Sequence, residues 1–210
     1  MDTFDLYKDM QCRTNGEIYL GVVGPVRSGK STFIKRFMDV LVLPKMTDEH
    51  AKERTVDELP QSASGKSIMT TEPKFVPKEA AKIQLAKDVS VRVRLIDCVG
   101  YMVDGASGHL ENGEERLVKT PWNEKEIPFT KAAEIGTKKV IHDHSTIGIV
   151  VTTDGSIGEL LRESYRAAEK KTIQELKSIG KPFVVLVNTR KPYSTEAKNV
   201  AEEIRREYQV

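Results

Sequence analysis

The 210 residues are enough for one α/β domain with a substantial core, or for one domain and a short appendage. Thirty-three Lys and Arg against 31 Asp and Glu leave a formal net charge of only +2, which implies no basic face and argues against nucleic acid as a partner. Two cysteines, Cys12 and Cys98, lack metal spacing and read as reduced thiols of a cytosolic protein; the start MDTFDLYKDM is no signal peptide, and no stretch matches a membrane span.

Thr3–Arg13 reads as a short amphipathic helix outside the sheet, closed by Asn15-Gly16, so residues 1–16 form an N-terminal appendage. Ile18–Val23 (IYLGVV) is a short buried strand, and Thr32–Val42 is an apolar helix that ends before Pro44. Between them Gly24-Pro25-Val26-Arg27-Ser28-Gly29-Lys30-Ser31 completes G-x-x-x-x-G-K-S, in the strand–loop–helix setting that turns this pattern into a phosphate site. Gly24 and Gly29 let the loop curl with its N–H groups inward, and the helix N-terminus adds positive charge there. Lys30 would reach the β- and γ-phosphates and the Ser31 hydroxyl would ligate Mg²⁺. Ser28 and Thr32 count with them among the expected nucleotide contacts.

Thr47–Leu59 is a charged surface helix with a Thr/Asp start, and residues 60–67 are a polar loop. Ile68–Pro77 is extended, because its prolines require it of the residues before them. Lys82–Ala86 and Val89–Ile96 alternate around Lys87-Asp88 as an antiparallel hairpin. Tyr101–Pro128 is irregular, Thr130–His144 helical and Ile147–Thr152 a buried strand. Leu160–Ile179 is a long helix capped by Gly180, Phe183–Val187 a strand, and Ser194–Tyr208 a last helix. Strands alternating with helices after one hairpin predict a three-layer α/β fold, with a mostly parallel, doubly wound sheet and one antiparallel edge. The last helix should hand over to a sixth strand, yet Val210 follows at once. Residues 1–210 are therefore expected to be one phosphate-loop NTPase domain and the N-terminal part of a longer chain; the alternative is a sheet that ends there.

Asp97-x-x-Gly100 ends the second hairpin strand. Its carboxylate is expected to hold Mg²⁺ through a water, and the Gly100 N–H to sense the γ-phosphate. Thr70 or Thr71 would close over the metal and γ-phosphate; Thr71 adjoins Glu72-Pro73, but the two are not separable here. A guanine-specific site would carry N-K-x-D. The chain has Asn188-Thr189-Arg190-Lys191, so a cation stands where an Asp would read guanine, and ATP becomes the better substrate. Asn188 and its loop would line the base pocket. Tyr101 replaces the glutamine that often orients the attacking water and is too weak a base to do so. Arg27 would lean across the phosphates as a cis arginine finger, point to a neighbouring subunit, or be plain solvated surface. Asp154-Gly155 reads as a simple turn, or Asp154 lies near the site or at a subunit contact. His142 and His144 read as C-terminal helix caps, and Trp122 as either a core plug or an exposed contact.

Together GPVRSGKSTFIKRFM, DELPQSASGKSIMTTEPKFVP, RLIDCVGY, TPWNEKEIPF, AAEIGTKKVIHDHSTIGIVVTTDGSIGE and GKPFVVLVN resemble the stage IV sporulation protein A family of endospore-forming bacteria over essentially the whole chain. The resemblance implies a translation-factor-related branch of phosphate-loop enzymes that uses ATP. It also implies hydrolysis linked to assembly of a cytoskeletal polymer, the basement layer of the spore coat, in the mother-cell cytoplasm at the forespore surface. Implied partners are further copies of the chain, a small amphipathic membrane-anchoring peptide and spore coat proteins, the last two mainly through regions beyond this chain. By motif, Lys30 binds phosphate, Asp97 supports Mg²⁺, and Thr70 and Thr71 fill the sensor positions.

Overall fold

The computed structural model describes residues 16–60, 71–86, 89–111 and 113–210. Five strands form the main sheet in the order β2-β3-β1-β8-β9. They are β1 (Glu17–Val23), β2 (Lys74–Ala86), β3 (Val89–Asp97), β8 (Ile147–Thr153) and β9 (Phe183–Asn188). β1 pairs in parallel with β3 and β8, and β8 in parallel with β9; only β2 runs antiparallel. The expected mostly parallel sheet with one antiparallel edge is therefore present.

Alternation along each central strand sends neighbouring side chains to opposite faces. Val22, Leu95, Ile149 and Val151 join one apolar cluster; Val23, Ile96 and Val150 join the other. Helix α1 (Lys30–Phe37) and the turn that follows it cover the first face with Ile34 and Met38. Helices α4 (Arg162–Ser178) and α5 (Thr195–Tyr208) cover the second with Ala168, Ile173, Leu176, Ile204 and Tyr208. The layers are thus helix, sheet, helix. On the α1 face the outer strand β9 leaves Val184 and Leu186 exposed, at 53% and 36%.

Several boundaries differ from expectation. Helical turns after α1 do not stop before Pro44: a π turn at Met38–Val42 and a 3₁₀ turn at Leu43–Lys45 carry on, with Pro44 early in the last turn, where no N–H is needed. β2 begins at Lys74 rather than Lys82, and a bulge between Val76 and Ala81 takes up the extra residues. The 101–128 stretch is not wholly irregular. It holds two small hairpins, β4 (Leu110–Glu111) with β5 (Glu114–Glu115), and β6 (Leu117–Thr120) with β7 (Asn123–Pro128). Their polar, mostly exposed residues carry no apolar alternation to announce them. α2 (Glu49–Glu58) is capped as expected, the Asp48 side chain accepting from Ala51 N at 3.0 Å. α3 (Phe129–Lys139) continues into a π turn at Val140–His144. The proposed helix at Thr3–Arg13 and the turn at Lys87-Asp88 lie outside the described residues. Among the described residues no helix is long and apolar enough to cross a membrane.

Candidate nucleotide site

β1 ends at Val23 and α1 begins at Lys30, so residues 24–29 make the whole turn between them. Gly29 sits at φ 95°, as does Gly100 across from the loop. A Cβ on Gly100 would lie 2.1 Å from the Gly24 carbonyl oxygen and 2.6 Å from Lys30 Nζ, so only glycine lets the end of β3 close on the loop this tightly. One backbone bond seals the contact, Val26 N donating to Tyr101 O at 2.8 Å.

Lys30 is buried, and Nζ donates to the carbonyls of Pro25 at 2.6 Å and Gly24 at 3.4 Å. Burial pushes its pKa below the usual lysine value, against the pull of nearby Cys98 and Asp97. Burial also lifts the Cys98 thiol to about 11, so it stays protonated. Asp97 closes β3. Its Oδ2 accepts from Ser31 Oγ at 2.6 Å, while Oδ1 is buried and has no partner within hydrogen-bond geometry among the described residues. Burial raises the Asp97 pKa above its ordinary value, and the bond from Ser31 and the charge of Lys30 do not cancel that. An orphaned carboxylate oxygen beside a hydroxyl is a hard, oxygen-only donor set. Mg²⁺ is held by one or two such protein groups, with phosphates and water supplying the rest. The residues therefore fit that ion. Among the described residues no cluster of three or more His, Cys, Asp or Glu could hold a metal, so a cation here would depend on phosphate and water for its other ligands.

Thr71 is buried, three residues before Lys74, which pairs with Asp97 in the β2–β3 ladder. A Cβ on Gly136 of α3 would lie 2.6 Å from its carbonyl oxygen. The backbone thus brings Thr71 to the Asp97 edge, without a hydrogen bond from its side chain to Ser31 or Asp97. Thr70 lies outside the described residues. Ser28 is fully buried and Thr32 is exposed on the first turn of α1. Arg27 stands at φ 61°, and its guanidinium donates to Ser107 O at 3.2 Å and Ser107 Oγ at 3.0 Å. It is neither free surface nor seen lying across the loop; it ties the loop to the segment after β3. Asn188, expected in the base pocket, reaches the loop: Nδ2 donates to Ser28 O at 3.0 Å. Tyr101 is buried between α3 and α4 under Lys171 Nζ, 4.6 Å from the ring centroid, and burial raises its pKa further, so it is no water-orienting base. His142 bonds Glu175 at 2.7 Å and His144 packs edge-on against Phe75, and both stand in the last turn of the helical stretch that ends at His144, as expected. Trp122 is half-buried beneath Lys139.

The model of the ATPase domain of stage IV sporulation protein A matches residues 1–210. The chain belongs to the stage IV sporulation protein A family. It is 56% identical to stage IV sporulation protein A of Clostridioides difficile (strain 630) over 206 residues, covering 98% of this chain and 42% of the relative. It is 51% identical to the Bacillus subtilis (strain 168) protein of the same description over 210 residues, covering all of this chain and 43% of that one. The chain therefore spans about two-fifths of the length of these relatives.

Two features of this family member were not foreseen from sequence. Arg162 and Glu169 form a buried bidentate ion pair at 2.6 and 2.8 Å, and Thr152 Oγ1 donates to the same carboxylate at 2.6 Å. Their i, i+7 spacing puts them on one face of α4, two turns apart, beside the apolar Tyr165 and Ala168. That spacing was the available signal. Asp154 is more than a simple turn: it accepts from Ser156 and from Thr189, joining the ends of β8 and β9 beside the loop. Those hydrogen bonds outweigh the effect of its partial burial and hold its pKa below the usual value.

Proposed function

We propose that this domain hydrolyses ATP with Mg²⁺, by in-line attack of water on the γ-phosphate. The observation that carries this reading is the meeting of Lys30, Ser31, Asp97 and Gly100 around one turn, with an Asp97 oxygen that is buried and unpartnered among the described residues. Lys30 would leave its loop carbonyls for the β- and γ-phosphates. Ser31 and Asp97 would hold Mg²⁺, which supplies charge neutralisation on the phosphates. Thr71, with Thr70, would complete the γ-phosphate sensor, and Gly100 N–H would report the same group. Arg27 would swing from Ser107 to the transferring phosphoryl, so catalysis is mostly positioning and electrostatics. Lys191 is exposed at the place where an Asp would read guanine, which favours ATP over GTP.

The sheet order and the antiparallel β2 are consistent with a phosphate-loop NTPase of the translation-factor-related branch. The domain would couple hydrolysis to self-assembly of a cytoskeletal polymer, the basement layer of the spore coat. This would take place in the mother-cell cytoplasm at the forespore surface. A membrane-anchoring peptide and coat proteins would bind mainly through other regions. Hydrolysis would switch the segments 67–77 and 101–128, changing which subunit contacts are favoured.

The deciding experiment is phosphate release against protein concentration, for the wild type and Lys30→Ala. Wild-type turnover abolished in Lys30→Ala supports the reading, and specific activity that rises with concentration places part of the catalysis across a subunit interface. Turnover that survives in Lys30→Ala overturns it. Excess GTP displacing labelled ATP would favour a GTP-dependent switch instead, and phosphate release at background at every concentration a purely structural nucleotide-bound module.

A further inference from the structure

The site edge beyond the phosphate loop has a carboxylate with an uneven set of partners. Asp154 Oδ1 accepts from Ser156 N at 2.9 Å and from Ser156 Oγ at 2.6 Å. Oδ2 accepts from Thr189 Oγ1 alone among the described residues. A carboxylate oxygen has room for about two such bonds, so Oδ2 keeps an open lone pair, and the side chain is only partly buried.

Its place is set by the neighbouring strand. Thr189 follows Asn188, whose amide nitrogen would lie 2.2 Å from a Cβ on Gly29. Ile157, in the same loop as Asp154, comes within 3.7 Å of that point. Asp154 is therefore one hydrogen bond from the strand end that touches the phosphate loop, on the edge where doubly wound sheets bind ligands. Both of its hydroxyl partners take a further hydrogen bond from the backbone after β9. Ser156 Oγ accepts from Arg190 N at 3.0 Å, and Thr189 Oγ1 accepts from Lys191 N at 3.2 Å. The Arg190 and Lys191 side chains can only donate.

We propose that Asp154 is the base-discriminating residue of this site, its Oδ2 accepting a hydrogen bond from the exocyclic amine of adenine. Guanine and hypoxanthine carry a carbonyl at that ring position. Two acceptors would then face each other, and the mismatch rejects the wrong base. This inference rests on the ATP reading above and adds to it the residue that selects the base.

The test uses the full-length protein and competition against labelled ATP. ITP differs from ATP at the ring position in question, and purine riboside triphosphate has hydrogen in place of the amine. Wild type should bind ATP at least about 10-fold tighter than either. Asp154→Asn keeps an oxygen for Ser156 and turns an amide donor toward the base, so its ATP-to-ITP ratio should fall to about one or invert. A variant that folds and keeps the wild-type ratio overturns the proposal. Should the variant not fold, the wild type decides alone, since equal binding of ATP and purine riboside triphosphate also overturns it. Wild type binding ATP, ITP and GTP alike removes the ATP reading itself. A wild type that prefers ATP over GTP but treats ATP and purine riboside triphosphate equally leaves that reading intact and removes only the role of Asp154.

Discussion

Asp97→Asn separates stability from function with opposite signs. Among the described residues Asp97 Oδ1 has no partner, and burial raises the carboxyl pKa despite the bond from Ser31 and the charge of Lys30. A raised folded pKa means the protonated form favours folding. That contribution is complete below the unfolded value of about 3.9 and is lost as pH rises through the folded value. At pH 7 the charge therefore destabilises the fold. Asparagine removes the charge, keeps the shape and can still bond Ser31 Oγ; the amide it leaves in the Oδ1 position is a neutral orphan, which costs less than a charged one. An unsatisfied buried polar group costs about 1–3 kcal/mol, and a domain of this size shifts by about 2–4 °C per kcal/mol. The Tm of the nucleotide-free, Mg²⁺-free variant should rise by about 2–12 °C at pH 7. The gain should shrink as pH falls and vanish below about pH 4. With Mg²⁺ and ATP at about 100 times Kd the wild type gains about 2.7 kcal/mol. The variant should lose most of that gain, so its advantage should shrink by up to about 2.7 kcal/mol and reverse where it was smaller than that. Thermal unfolding from pH 4 to 8, with and without Mg²⁺–ATP, reads both effects. A variant less stable than wild type at pH 7 without ligand would refute the reasoning, because it would mean that the fold already satisfies the carboxylate.

Arg27 holds a left-handed backbone that costs a non-glycine residue about 1–2 kcal/mol. Arg27→Gly should therefore be more stable than Arg27→Ala by about 1 kcal/mol in denaturant unfolding. If Arg27 acts on the transferring phosphate, Arg27→Ala lowers kcat more than nucleotide affinity; equal losses would sink that role. Glu169→Gln leaves the Arg162 guanidinium buried beside a neutral amide, and should cost about 3–5 kcal/mol in urea unfolding. The double replacement Arg162→Met with Glu169→Leu should recover most of it, and a single-variant loss under about 1 kcal/mol would contradict a structural pair.

Much of this protein could be read in one dimension, because the signals were local. G-x-x-x-x-G-K-S between an apolar strand and an apolar helix marks a turn whose chemistry resides in its own backbone and adjacent side chains. The alternation of Val91, Val93 and Leu95 up to Asp97 specified a strand end, and the register with β1 carried Asp97 to Ser31. Pro73 and Pro77 required extended chain, and Asp48 and Ser194 marked helix starts that their side chains do cap. What tertiary structure alone decided is the fate of polar groups whose partners are far away in sequence. Asn188 was assigned to the base from its motif, yet its amide meets Ser28, 160 residues earlier. Arg27 had three readings until Ser107, 80 residues later, settled which partner it takes in this fold. A side chain's periodicity states which face it lies on, and that settles apolar burial, which is non-directional. A hydrogen bond needs a particular donor at a particular distance and angle, and only the packing of β8, β9 and the loop against one another supplies that.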